Sequence, residues 1–226
     1  MALPDLGKFI AFGDSHVRCF QSVIKNTHAF SASSAKGLGN PNSLSGTNNA
    51  IRELCKDQHD GYIFLFGKVD IDFLLTHTYN DKPDTDFHLY IEAIVEKYIE
   101  FVAGLNLTNV YLCELPLSHL SDADLLALNN VPNNHHNLQK HIDAAYVVKR
   151  YTKVIPLQRR QELILHFNGL LRYHAALNNF RVLEINKYFT TVVPKLYIIP
   201  SLNHHLEEKV VELYVRSFKE IAHSSS

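Results

Sequence analysis

The chain has 226 residues, enough for one domain that buries roughly 70% of the surface its unfolded form would expose. Lys and Arg number 22 against 23 Asp and Glu, a formal net charge of −1 with no basic block, which excludes the electrostatic footprint of a nucleic-acid or anionic-membrane binder. No apolar run approaches the ~20 residues of a membrane span, and Met1-Ala2-Leu3-Pro4-Asp5 lacks the parts of a signal peptide, so a cytoplasmic setting is expected unless a leader has been removed.

The first element is the short apolar run Phe9-Ile10-Ala11-Phe12, which reads as one buried strand. It breaks at Gly13-Asp14 and presents Ser15. Val17, Phe20, Val23 and Ile24 then follow at helical spacing. Ser15 is therefore expected on a strand-to-helix turn, at the carboxyl edge of a sheet where open α/β folds place ligands. Its N–H points out of a helix start, where a developing anion is stabilised. Gly13 removes side-chain bulk beside it, and Asp14 is a candidate N-cap.

Residues 26–45 read as loop, with small side chains and two glycines, Gly37 and Gly39, that let backbone approach a neighbour closely. Ser45 or Thr47 is placed to cap a helix through Ile51, Leu54 and Cys55. Gly61-Tyr62-Ile63-Phe64-Leu65-Phe66-Gly67 is a near-continuous apolar run, suited to a central parallel strand buried on both faces. Lys68, Val69 and Asp70 follow at its carboxyl end, and Asp70 is placed to cap the next helix.

A long amphipathic helix is expected from Phe87 to about Leu105, and Asn109 to Leu115 reads as another buried strand ended by Pro116. Residues 116–155 are the least regular, with a short helix capped at Ser121, and read as an insertion or lid. A helix from Leu157 to about Leu177, a strand over 180–186 and a final helix from near His205 complete the order. The alternation predicts one domain over 1–223, a three-layer α/β/α sandwich on a mostly parallel sheet, with Ser224 to Ser226 set aside as a tag remnant. Cys19, Cys55 and Cys113 are odd in number and widely spaced, the usage of reduced thiols rather than a disulfide framework.

Gly13-Asp14-Ser15-His16 resembles the first block of the SGNH (GDSL-like) hydrolase superfamily, whose nucleophile is the serine. The resemblance rests on block order along nearly the whole chain. It implies a flavodoxin-like sheet and an ester-cleaving site. The second block supplies a glycine N–H to the oxyanion; Gly37 fits, with Gly39 as the alternative. The third block is usually Gly-x-Asn-Asp. Here it is Gly67-Lys68-Val69-Asp70, similar to a variant branch in which the polar residue follows the glycine directly, which makes Lys68 the oxyanion partner. The last block is Asp-x-x-His. Here Ser201-Leu202-Asn203-His204-His205 offers two histidines, with His205 favoured, and no acidic residue three positions before either, so the resemblance implies a Ser–His dyad with another group orienting the imidazole. Absence of the usual Asn and Asp leaves a binding or assembly module on the same fold as the rival. The implied substrate is a small-molecule or glycan ester bearing an acyl or acetyl group. No cofactor is called for. His135, His136 and His141 suggest a metal cluster, but the five-residue step from 136 to 141 suits one helix face poorly.

Overall fold

The computed structural model describes residues 6–31, 33–40, 43, 45–130, 151–189 and 208–224. Five strands form one sheet, and each strand pairs with its neighbours in parallel. They are β1 (Phe9–Gly13), β2 (Asn26–Ala29), β3 (Gly61–Leu65), β4 (Val110–Cys113) and β5 (Arg181–Leu183), in the order β2-β1-β3-β4-β5. β1, β3 and β4 are buried throughout, as their continuous apolar runs require.

β2 is the element that the sequence hides. Residues 26–45 read as loop, yet Asn26–Ala29 pairs with Ile10 to Gly13. It is a short edge strand with three polar residues and none of its four side chains fully buried, so it lacks the apolar run that marks the inner strands. The segment after β1 is also tighter than expected: Ser15–Ser22 is a 3-10 helix, capped by Asp14 and burying Val17, Cys19 and Phe20.

Helices cover both faces. On one lie α1 (Ala35–Leu38), α2 (Thr47–Leu54), α4 (Phe87–Ala103) and α6 (Leu157–Leu177); on the other lie the 3-10 helix and α7 (Val211–Ser224). α4 buries Ile91, Ile94, Val95, Tyr98 and Phe101, close to the expected stripe, and ends two residues early. Asp86 caps it by accepting from the amides of His88 and Leu89. α2 is entered through Gly46 at φ 63°, a left-handed residue, and Ser45 Oγ, one residue earlier, accepts from the Thr47 N–H (3.4 Å). α7 buries Leu213, Tyr214 and Phe218 as its spacing requires; His205, where the sequence pattern starts this helix, is outside the described residues.

β3 runs into a π-helical turn, Asp70–Leu74, and then α3 (Leu75–Asp81). A small second core forms beside this turn from Val69, Phe73, Leu120, Leu125 and Val154. It holds the described parts of the irregular 116–155 region, including α5 (Asp122–Asn129), against the carboxyl edge of the sheet. Beyond β4, the Asn168 side chain on α6 accepts from the Leu115 N–H (2.8 Å) and donates to the Leu115 carbonyl (2.9 Å). Among the described residues no helix is long and apolar enough to cross a membrane, and the three cysteines are free thiols.

Candidate active site

In a sheet of this order the chain leaves β1 toward β2 and then crosses back to β3. The crevice at the carboxyl ends of β1 and β3 is the switch point where open α/β folds bind ligands. The structure places Ser15 there, at the first residue after the Gly13-Asp14 turn. The two strand ends are drawn together by the Asp14 N–H donating to the Leu65 carbonyl (3.2 Å). A Cβ on Gly13 would stand 2.4 Å from that carbonyl oxygen and 2.5 Å from Val17 Cβ, so only glycine fits.

Ser15 is 9% exposed and its Oγ is buried without a hydrogen-bond partner among the described residues. Among the described residues no group accepts from its N–H either. Asp14, fully buried, uses Oδ1 to accept from the His16 N–H (3.0 Å) and to pair with His16 Nδ1 (2.7 Å); among the described residues Oδ2 has no hydrogen-bond partner.

The segment after β2 runs beside this site. Phe30 N–H donates to the Gly13 carbonyl (2.9 Å), and the Ala35 and Lys36 amides donate to Asp70 at the far side, beyond β3 (2.7 and 3.1 Å). Phe30 at one end and Ala35 and Lys36 at the other thus tie this stretch to the ends of β1 and β3. Asp70 caps α1, an element 35 residues earlier, rather than the helix that follows it. Burial raises its carboxyl to about 7, against the pull of the two amide bonds.

Gly37 and Gly39 do not present free amides. Gly37 N–H is taken by Ser34 Oγ (3.0 Å), which caps α1. Gly39 N–H bonds to the Gly37 carbonyl, and its Cα packs on α4 so closely that a Cβ would lie 3.0 Å from Lys97 Cβ. In this ligand-free structure both glycine amides, expected as oxyanion donors, are engaged within the α1 turn. Ser34 stands instead at the mouth of α1, and among the described residues no group accepts from its N–H. The sequence offers no sign of this, because which amide of a capped turn stays open depends on where the cap falls.

Lys68 is also not the open ammonium that its place in the sequence suggests. It is fully buried and donates to Asp72 Oδ2 (2.8 Å) and Ser118 Oγ (2.7 Å), while Ser118 Oγ donates to Asp72 Oδ1 (2.6 Å). Arg160, buried as well, stands 3.9 Å from Asp72 and donates to the Leu120 and Ile155 carbonyls and to Asp122. Burial pushes the Lys68 ammonium down despite Asp72. Burial alone would raise Asp72, but the two cations outweigh it and hold the carboxylate low. The i,i+4 step from Lys68 to Asp72 is legible in the sequence; Ser118 and Arg160, 50 and 92 residues from Lys68, are not.

His204 and His205 lie outside the described residues, as do His135, His136 and His141. Among the described residues no group of three His, Cys, Asp or Glu side chains is arranged to hold a metal ion.

No family model and no curated protein matches the sequence. Solved structures do match. A GDSL-like lipase from Bacteroides thetaiotaomicron is 9% identical, with a TM-score of 0.53 over 100% of this chain and 93% of that one. A lipase/acylhydrolase from Enterococcus faecalis is 12% identical, with a TM-score of 0.52 over 95% of each chain. At such identities the likeness speaks for architecture: the chain has the fold of the SGNH (GDSL-like) hydrolases.

Proposed function

We propose that this protein is a serine hydrolase or acyltransferase of SGNH type acting on an acyl or acetyl ester, carbohydrate esters being one class within that range. The observation that carries the reading is Ser15: a hydroxyl at the switch point, buried, with no hydrogen-bond partner among the described residues, at the start of a helix whose first amide is open. Burying a hydroxyl unpaired costs about 1–3 kcal/mol, so a hydroxyl without a described partner at this point fits one kept for a base or a substrate.

In this reading Ser15 Oγ attacks the ester carbonyl while His205, or His204, removes its proton. The N–H groups of Ser15 and Ser34 receive the oxyanion, and the same imidazole returns the proton to the departing alcohol. Water or a second alcohol then releases the acyl group from Ser15. The paired state of Lys68 favours a second reading, a catalytically weakened binding module, since an ammonium neutralised by Asp72 adds little to an oxyanion hole.

A fluorophosphonate probe discriminates the two. Wild type is expected to label, Ser15→Ala not at all, and the single changes His204→Ala and His205→Ala identify the base by which one lowers labelling by about 10³-fold or more. Equal labelling of wild type and Ser15→Ala removes the hydrolase reading.

A further inference from the structure

Asp70 is a buried carboxylate with no role in the chemistry just described, and its two bonds are arranged unusually. Oδ2 takes the Ala35 amide at 2.7 Å and Oδ1 takes the Lys36 amide at 3.1 Å, so each oxygen holds one N–H of the segment after β2. The other end of that segment is fixed at Gly13 by Phe30. Between the two ties lies Ser34, whose open N–H faces no described acceptor. We infer that Asp70 is a positioning residue: in its ionised form it ties α1 to the end of β3 and so sets the Ser34 amide beside Ser15, and protonation releases that tie.

The chemistry follows from the two-oxygen grip. A carboxylate accepts both amides with charge-assisted bonds; a carboxylic acid keeps one full acceptor, and the oxygen that carries the hydrogen becomes a much weaker one. The groups facing Asp70 keep the proton within reach of ordinary pH. Burial favours the acid form, and Asp14, at the end of β1, adds negative charge in the same sense; Tyr98 on α4 is buried, neutral and held far above its usual range by its own burial. Lys36, on α1 itself, turns its ammonium away to Tyr90 Oη at 2.7 Å. On the π-helical turn and the residue pair before it, Lys68 and Asp72 are paired with each other. Asp70 is therefore raised from 3.8 to about 7, so the tie is made above neutrality and lost below it.

The sign for stability is opposite. A carboxyl raised in the folded state contributes stability that is fully present below its unfolded pKa near 3.8 and is lost as pH rises through about 7. The fold is strongest with Asp70 neutral, whereas the site is assembled with it charged. A residue present only to hold the fold together would show the two trends in step.

The inference rests on the hydrolase reading, and its test separates the two. The rate of fluorophosphonate labelling is measured from about pH 5.5 to 9 for the full chain and for Asp70→Asn, alongside the urea midpoint at each pH and hydrogen exchange of residues 33–38. In wild type the logarithm of the rate is expected to fall below neutrality with a slope approaching two, one proton from the base and one from Asp70. In Asp70→Asn the slope drops to one, the alkaline plateau falls about tenfold or more, and the decline of the urea midpoint through pH 7 flattens. Identical slopes and plateaus in the two proteins overturn the inference, as does unchanged exchange of residues 33–38 across neutrality in wild type. Should wild type fail to label at any pH, the hydrolase reading falls, and the exchange and urea arms decide the tie alone. Where Asp70→Asn does not fold, the slope and exchange profile of wild type decide the matter: a slope of two with exchange that quickens below neutrality supports the tie, and a slope of one with flat exchange overturns it.

Discussion

Two strand ends, those of β1 and β4, handle buried polar groups in opposite ways. Past β4, Glu114 is buried and its carboxylate receives the amides of Ile185 and Asn186 (3.0 Å each), the Asn186 side chain (3.2 Å) and the Arg172 guanidinium. Past β1, Asp14 and Ser15 are also buried, yet among the described residues Asp14 Oδ2 and Ser15 Oγ have no hydrogen-bond partner. Both ends belong to the same parallel sheet, so the sheet does not cause the difference. A saturated carboxylate stitches neighbouring segments together, here β4 to the loop after β5. A hydroxyl at the crevice between β1 and β3 that bonds to no described group does no such stitching. Lys68, Asp72 and Ser118 side with Glu114: each is deep, polar and hydrogen-bonded to the other two, with Arg160 Nη1 3.9 Å from Asp72 and no hydrogen bond on that nitrogen among the described residues.

This contrast can be broken in graded steps. Lys68→Met should destabilise by about 3–5 kcal/mol, because Asp72 loses its closest counter-charge while still buried; a urea midpoint within experimental error of wild type would place Lys68 outside the pairing described. Glu114→Ala should follow at about 2–4 kcal/mol, since it strands the Ile185 and Asn186 amides in the interior. Neither change touches Ser15, so the folded fraction of each variant should still label with the fluorophosphonate. Ser34→Ala is the mildest. It removes the cap on Gly37 N–H and should lower stability by about 1 kcal/mol. It leaves the Ser34 backbone N–H in place, so labelling should change less than about threefold, and a larger loss would move the oxyanion role from the amide to the hydroxyl.

The inner sheet is legible in the sequence because burial on both faces writes itself as unbroken apolar runs, as in Phe9 to Phe12 and Tyr62 to Phe66. β2 is not, because Asn26-Thr27-His28-Ala29 pairs along one edge only and carries polar side chains that a loop would carry too. The turn at Gly13-Asp14-Ser15 is legible in kind: an apolar run, a glycine, a cap and a helical spacing define it locally. What surrounds Ser15 is harder, because amide availability is a property of three-dimensional pairing. That the Gly37 N–H is held by Ser34 Oγ cannot be read from the spacing of the glycines. Asp70 looks like a cap for the residues after it until its carboxylate is seen 35 positions back along the chain. Lys68 reads as an open cation because Ser118 and Arg160 are too distant in sequence to suggest that it is enclosed.

The amide of Asn168 has a mechanical consequence. A helix that rests on a sheet through apolar contacts alone slides or rolls by small steps with little penalty, since one methyl resembles the next. Asn168 grips both the donor and the acceptor of Leu115, so α6 has a single axial setting, like a rack stopped by one tooth. Arg160 stands eight residues earlier on the same helix, roughly 12 Å along its axis. The depth to which that guanidinium reaches toward Asp72 is thus gauged from the other side of the sheet edge, by a neutral side chain that touches neither ion.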